Sequence, residues 1–281
     1  MQYISVIGSG TMGNGIAHTF AQFGFEVALV DINPTALERA LNTIGNNLDR
    51  QVKKGALTET DKQRAFSRIT AYTDLANGVG QADLVVEAAT ESEEVKLDLF
   101  RELDRLCPEH TILASNTSSI SITKIASVTQ RADRTVGMHF MNPVPVMKLV
   151  EVIKGYETSA DTADRVAALS KQLDKEPVVV NDYPGFVANR ILMPMINEAI
   201  YALYEGVAEA EAIDAIMKLG MAHPMGPLQL ADFIGLDVCL AILRVLYDGF
   251  GNPKYAPCPL LVNMVTAGKL GKKSGQGFYR Y

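Results

Sequence analysis

Residues 3–31 read YISVIGSGTMGNGIAHTFAQFGFEVALVD. Tyr3–Ile7 is a compact apolar run of the length a buried strand takes. It runs straight into Gly8-Ser9-Gly10-Thr11-Met12-Gly13, after which Met12, Ile16, Thr19, Phe20 and Phe23 recur at helical spacing. A second apolar run, Val27–Val30, ends at Asp31. Strand, glycine turn, helix, strand and acid thus follow one another within about thirty residues, the layout of a dinucleotide-binding unit. Gly8 permits the tight turn, Gly10 lets a pyrophosphate approach the backbone, and Gly13 lets helix and strand pack closely. The whole turn, Gly8 through Ser9, Gly10, Thr11 and Met12 to Gly13, is the expected cradle, its N–H groups and the helix dipole holding the phosphates. Asp31 can accept from both hydroxyls of an adenosine ribose and repel a 2′-phosphate, so the expected cofactor is NAD. The rival reading of such a turn, glycines that are purely structural, lacks a use for the acid.

Outward from this unit the alternation continues. A long polar-faced helix opens at Asn33-Pro34 and runs to Lys54, with a second from Thr58 to Ser67. Arg50, Lys53 and Lys54 cluster at the end of the first: either a solvated face or a site for an anionic group. Ile69–Tyr72, Asp83–Glu87, Thr111–Ala114 and Thr135–Phe140 read as strands, and Ser92–Leu106 as an amphipathic helix. Strands separated by helices predict an α/β fold, a mostly parallel sheet that binds ligands at its carboxyl edge. Ala88–Glu91, Ser115–Ser119 and His139–Asn142 all fall at such strand ends. Ser118 either caps the helix that follows or faces the ligand, while Asn116 and Asn142 either serve loop backbone or do the same.

Two short runs, Thr135–Phe140 and Lys148–Ile153, flank a turn containing Pro143 and Pro145. Folded back as antiparallel neighbours, they bring His139 opposite or diagonal to Leu149–Glu151. A carboxylate beside an imidazole fixes its tautomer and favours the imidazolium, so His139 and Glu151 form the candidate general-base pair. His18, His110 and His223 lack such settings. After Pro177–Val180, the break Asp182-Tyr183-Pro184-Gly185 changes the pattern to helices throughout: Phe186–Leu203, Ala208–Leu219, Pro227–Asp248 and Pro259–Ala267. The expected organisation is a Rossmann-type domain over 1–182 and a smaller all-α domain over 183–281. The first of these helices carries Asn189 near its start, and its apolar residues cover more than one face, which suits either a compact core or a homodimer contact.

The length of 281 residues fits one large or two ordinary domains. A net charge of −6 gives no basic footprint, so no nucleic-acid partner is expected. Cys107, Cys239 and Cys258 are odd in number and show no metal-ligand spacing, as in a reducing compartment, and no metal is expected. No run approaches the ~18 apolar residues of a membrane span. With a first strand beginning almost at Met1, the expectation is a cytoplasmic protein without a leader or membrane contact.

Several stretches together resemble the 3-hydroxyacyl-CoA dehydrogenase family, close to its bacterial 3-hydroxybutyryl-CoA members. They are GSGTMG (8–13) with Asp31, ESEEVK (91–96), SNTSS (115–119), GMHFMNPVPVMKLVEV (137–152), PGFVANR (184–190), HPMGPLQLADFIGLD (223–237) and KSGQGFYRY (273–281). The resemblance covers essentially the whole chain. It implies oxidation of a (3S)-hydroxyacyl-CoA by NAD in fatty-acid or butanoate metabolism, with His139 and Glu151 as the catalytic pair. It further implies Ser118 and Asn189 on the reacting oxygen, and Glu91, Lys96, Ser118, Asn142 and Lys273 as cofactor contacts. Lys54, helped by Lys53, matches a contact to coenzyme A. Two alternatives stand beside it: a dehydrogenase of the same fold acting on a sugar acid or carnitine, and a non-catalytic NAD-binding protein.

Overall fold

A computed structural model describes residues 1–281 as two compact units, Met1–Asp182 and Tyr183–Tyr281. In the first, β1 (Tyr3–Ile7), α1 (Thr11–Gln22), β2 (Glu26–Val30), α2 (Pro34–Lys53), α3 (Glu59–Ser67) and β3 (Ile69–Tyr72) follow in order. Then come α4 (Leu75–Val79), β4 (Leu84–Glu87), α5 (Glu93–Leu106), β5 (Ile112–Ser115), α6 (Ile122–Ala126) and β6 (Thr135–Phe140). β7 (Leu149–Lys154), α7 (Ala160–Gln172) and β8 (Glu176–Asn181) complete the unit. The strands make one eight-stranded sheet in the order β3-β2-β1-β4-β5-β6-β7-β8. Every neighbouring pair is parallel except β6 and β7.

The sequence gives local reasons for this order. β4, β5 and β6 are buried at every residue, as strands covered on both faces must be. On one face of the sheet Leu84, Val86, Ile112 and Val136 join the stripe Leu37, Ala40, Ile44 and Leu48 of α2 and the apolar side of α1 in one core. Asn33 starts α2 by accepting from the N–H groups of Thr35 and Ala36, with Pro34 in the first turn. The chain order reverses between β1 and β4, so the carboxyl ends of these two strands form the crevice in which such sheets bind ligands.

The second unit contains α8 (Ala188–Tyr204), α9 (Ala210–Gly220), α10 (Pro227–Ile234), α11 (Leu236–Phe250) and α12 (Pro259–Thr266). Met193, Ile196, Ile200, Leu228, Leu243 and Leu261 lie in its core. The single helix expected over Pro227–Asp248 is two. The break is Gly235, whose φ of 106° a helix cannot hold and few residues but glycine adopt. Buried Asp232 accepts from the N–H groups of Phe278 and Tyr279 at 3.0 and 2.9 Å, tying down the final segment. Gly277 is needed there, because a Cβ would sit 1.8 Å from an oxygen of Asp232. No helix of the chain is long and apolar enough to cross a membrane.

Candidate active site

The glycine turn is built as a cradle. Gly8 takes φ 97° and packs so closely that a Cβ would lie 2.6 Å from the Ala88 carbonyl oxygen. A Cβ on Gly13 would lie 1.7 Å from the Gly8 oxygen, while Gly10 has nothing within 4 Å of the same point. Two glycines are therefore required by packing, and the middle one faces open space. No side chain caps α1 at Gly10, an arrangement that suits an anionic group at its first N–H groups. A cleft of about 770 Å³ begins here, lined by Gly8, Gly10, Thr11, Met12, Asp31, Ile32, Leu75, Ala88, Val95 and Leu99. A slot of mostly apolar side chains with the Asp31 carboxylate beside the glycine turn suits an adenosine. Partial burial raises the Asp31 carboxyl, but the N–H of Asn33 and the hydroxyl and N–H of Ser9 outweigh it and hold the group below its ordinary range. Asp31 therefore carries its charge throughout the neutral range, as discrimination against a 2′-phosphate requires. These residues fit NAD.

At the other side of the crevice the three strand-end clusters meet. Glu91 Oε1 accepts from Thr117 Oγ1 at 2.5 Å, Ser118 N at 3.1 Å and Ser119 Oγ at 2.9 Å. Burial pushes the Glu91 carboxyl up, and Lys96 followed by these donors brings it below its usual value. The side-chain oxygen of Asn116 accepts from the N–H of Phe140 at 2.9 Å, joining the serine loop to the end of β6. Ser118 does not cap α6. Ser121 does, accepting from the N–H of Lys124, because the chain needs three more residues after Ser118 before it turns into the helix.

His139 and Glu151 are directly opposed in the β6–β7 register, so both side chains leave the sheet on one face. The imidazole Nδ1 and Glu151 Oε2 are 2.8 Å apart, with the residues only 8 % and 3 % exposed. An ionised carboxylate can only accept, so Nδ1 carries the proton and Nε2 is the nitrogen able to take another. The turn between the strands is held from β8's side by Lys175, whose buried ammonium donates to the carbonyls of Val144 at 2.5 Å and Met147 at 2.8 Å. Asn142 lies exposed at the start of that turn.

The remaining candidates are placed as follows. Lys53 ends α2 and Lys54 caps it, both exposed. Lys96 is buried against Glu87 and Glu91. Asn189 sits in the first turn of α8, and Lys273 pairs with Asp237, both within the second unit. Sequence reasoning passed over Glu87 and Lys175. A charged residue closing an otherwise apolar strand, and a lysine directly before a strand, were the available signals.

A dinucleotide fold with a buried His–carboxylate pair at its ligand edge suits an oxidoreductase that moves a proton and a hydride. Comparison with known proteins narrows this class. The family model for the NAD binding domain of 3-hydroxyacyl-CoA dehydrogenase matches residues 3–183, and that for its C-terminal domain matches residues 185–281. The chain belongs to the 3-hydroxyacyl-CoA dehydrogenase family. It is 57% identical to a probable 3-hydroxybutyryl-CoA dehydrogenase of Bacillus subtilis, over 100% of this chain and 98% of the relative. It is 53% identical to the 3-hydroxybutyryl-CoA dehydrogenase of Bradyrhizobium diazoefficiens, over 99% of this chain and 94% of the relative. The crystal structure of (S)-3-hydroxybutyryl-CoA dehydrogenase from Ralstonia eutropha superposes with TM-score 0.97 at 52% identity, covering 100% of this chain and 99% of that one.

Proposed function

We propose that this chain interconverts (3S)-3-hydroxyacyl-CoA and 3-oxoacyl-CoA thioesters with NAD, acting on short chains such as 3-hydroxybutyryl-CoA. The observation that carries the reading is the 2.8 Å contact of His139 with Glu151 at the ligand edge of the sheet. In the oxidative direction His139 Nε2 takes the proton of the substrate hydroxyl, and Glu151 stabilises the imidazolium. In reduction the same nitrogen returns the proton to the oxygen. NAD supplies the hydride-accepting ring, chemistry that no side chain offers. Ser118 donates to the oxygen on which charge develops, and Asn189 is assigned to the same oxygen on the family resemblance. Asp31 and the glycine turn take the adenosine and pyrophosphate, with Glu91, Lys96, Asn142 and Lys273 as further cofactor contacts. Lys54 and Lys53 meet coenzyme A.

The enzyme is further assigned to the cytoplasm as a homodimer formed through the second unit. Ile191, Ile216, Leu219 and Phe233 of that unit are exposed apolar side chains that a subunit contact would cover. A sedimentation mass of twice 30.5 kDa is expected, and a mass of one chain at micromolar concentration would remove the dimer.

The reaction is tested by following NADH absorbance with acetoacetyl-CoA and then with acetoacetate. Turnover of the thioester and little of the acid is expected. Absence of turnover with the thioester would overturn the reading, and equal turnover of the acid would favour a dehydrogenase that ignores coenzyme A.

A further inference from the structure

Glu87 closes β4 with its side chain shut off from solvent, a place where a carboxylate persists only when paired and hydrogen-bonded. Three donors converge on it. Oε1 accepts from the N–H of Ala89 at 2.7 Å and from the ammonium of Lys96 at 2.6 Å, and Oε2 accepts from the hydroxyl of Ser115 at 2.6 Å. Lys96 comes from the first turn of α5, is 1 % exposed, and reaches Glu91 Oε2 at 3.3 Å. Ser115 Oγ in turn accepts from the N–H of Thr117 at 3.2 Å. The loop from Ser115 to Ser119 is thus held at its start by Glu87 and at its tip by Glu91, and one buried ammonium ties the two carboxylates together.

We propose that Glu87 is a positioning residue for the reaction: by fixing Lys96 and Ser115 it sets the place of Glu91 and of Ser118, without itself touching cofactor or substrate. The proposal rests on the assignment of Glu91 and Ser118 to the oxidoreductase site. The charge of Glu87 is essential to it. A neutral amide at this position keeps an oxygen for Lys96 but removes the counter-charge, so the ammonium pulls harder on Glu91, the one carboxylate left beside it, and loosens the bonds of Glu91 to Thr117, Ser118 and Ser119. A small displacement of groups that meet the reacting atoms is costly, on the order of 10²-fold for about 1 Å. A merely structural Glu87 would instead lower stability and leave the kinetics of the folded enzyme alone.

The test compares Glu87→Gln, Lys96→Met and the double variant, all in the full chain, by steady-state kinetics with NADH and acetoacetyl-CoA and by urea unfolding. Glu87→Gln is expected to lower kcat by roughly 10- to 100-fold while KM for acetoacetyl-CoA stays within about threefold. The double variant is expected to be no slower than Lys96→Met, since residues acting as a unit are not additive. Wild-type kcat in folded Glu87→Gln, or losses that multiply in the double variant, overturns the proposal. Should Glu87→Gln not fold, Ser115→Ala carries the test: a fall in kcat at an unchanged urea midpoint supports it, and wild-type kcat overturns it. Fluorescence titration with NADH separates this idea from the functional reading. If the wild-type enzyme ignores acetoacetyl-CoA, the reading falls, yet Glu87→Gln is still expected to weaken NADH binding by about tenfold. Unchanged NADH affinity in that case overturns the positioning role as well.

Discussion

His139 would be an ordinary core histidine were it not for the residue across the sheet. Glu151 lies 2.8 Å from Nδ1 and, on the proposed mechanism, holds the proton there and leaves Nε2 for the substrate. Glu151→Gln keeps the shape and removes that decision, because an amide offers an N–H as readily as an oxygen. The ring can then carry its proton on Nε2, where it cannot act as a base. A fall in kcat of about 10²–10⁴-fold is expected, with KM for NADH within about threefold. Steady-state kinetics of the folded variant check this, and a kcat near wild type would mean that the pair is only a packing contact. The two charged residues that were hardest to foresee, Glu87 and Lys175, have partners far along the chain: Ser115 for the first, beside the nearer Ala89 and Lys96, and Val144 and Met147 for the second. Nothing in local spacing reports such partners.

At the scale of elements, the glycine turn offers two substitutions with opposite expectations. Gly13→Ala drives a methyl into the Gly8 carbonyl, at 1.7 Å, and is expected to destabilise the protein by about 3 kcal/mol or more. Gly10→Ala meets no protein atom within 4 Å, so its unfolding midpoint is expected to stay within about ±0.5 kcal/mol of wild type. The added methyl occupies the space a pyrophosphate needs, and KM for NADH should rise by at least about tenfold. Gly10→Ala with wild-type NADH kinetics would contradict the cradle. This turn was legible because its logic is local: strand, glycines, helix and acid are contiguous. The antiparallel β6–β7 pair was legible for the same reason, two apolar runs folding back about one short turn. The break at Gly235 was not, since the apolar periodicity continues from Pro227 into α11 and a lone glycine does not by itself end a helix. What breaks it is the φ of 106° at Gly235, a conformation the periodicity does not report.

For the whole molecule, His18 couples stability to pH. It lies buried in α1 beside Gln51, without a partner for Nδ1, and burial pushes its imidazole down from 6.5 to about 4. The unfolded chain therefore takes up this proton first. Stability is fully present above pH 6.5 and is lost as pH falls toward about 4, by about 3 kcal/mol in all. His18→Gln should flatten that window in urea unfolding, and equal slopes for variant and wild type would show that other groups govern it. The division into two units was readable at the Asp182-Tyr183-Pro184-Gly185 break, where strands give way to helices. The hold of Asp232 on the last residues was not, because it joins positions more than forty residues apart. The central claim is that His139 moves the proton, and its most direct measurement is kcat for His139→Gln with acetoacetyl-CoA, alongside NADH affinity on the same preparation. A loss of at least about 10²-fold with NADH binding intact is expected. A His139→Gln enzyme that turns over at the wild-type rate would contradict it.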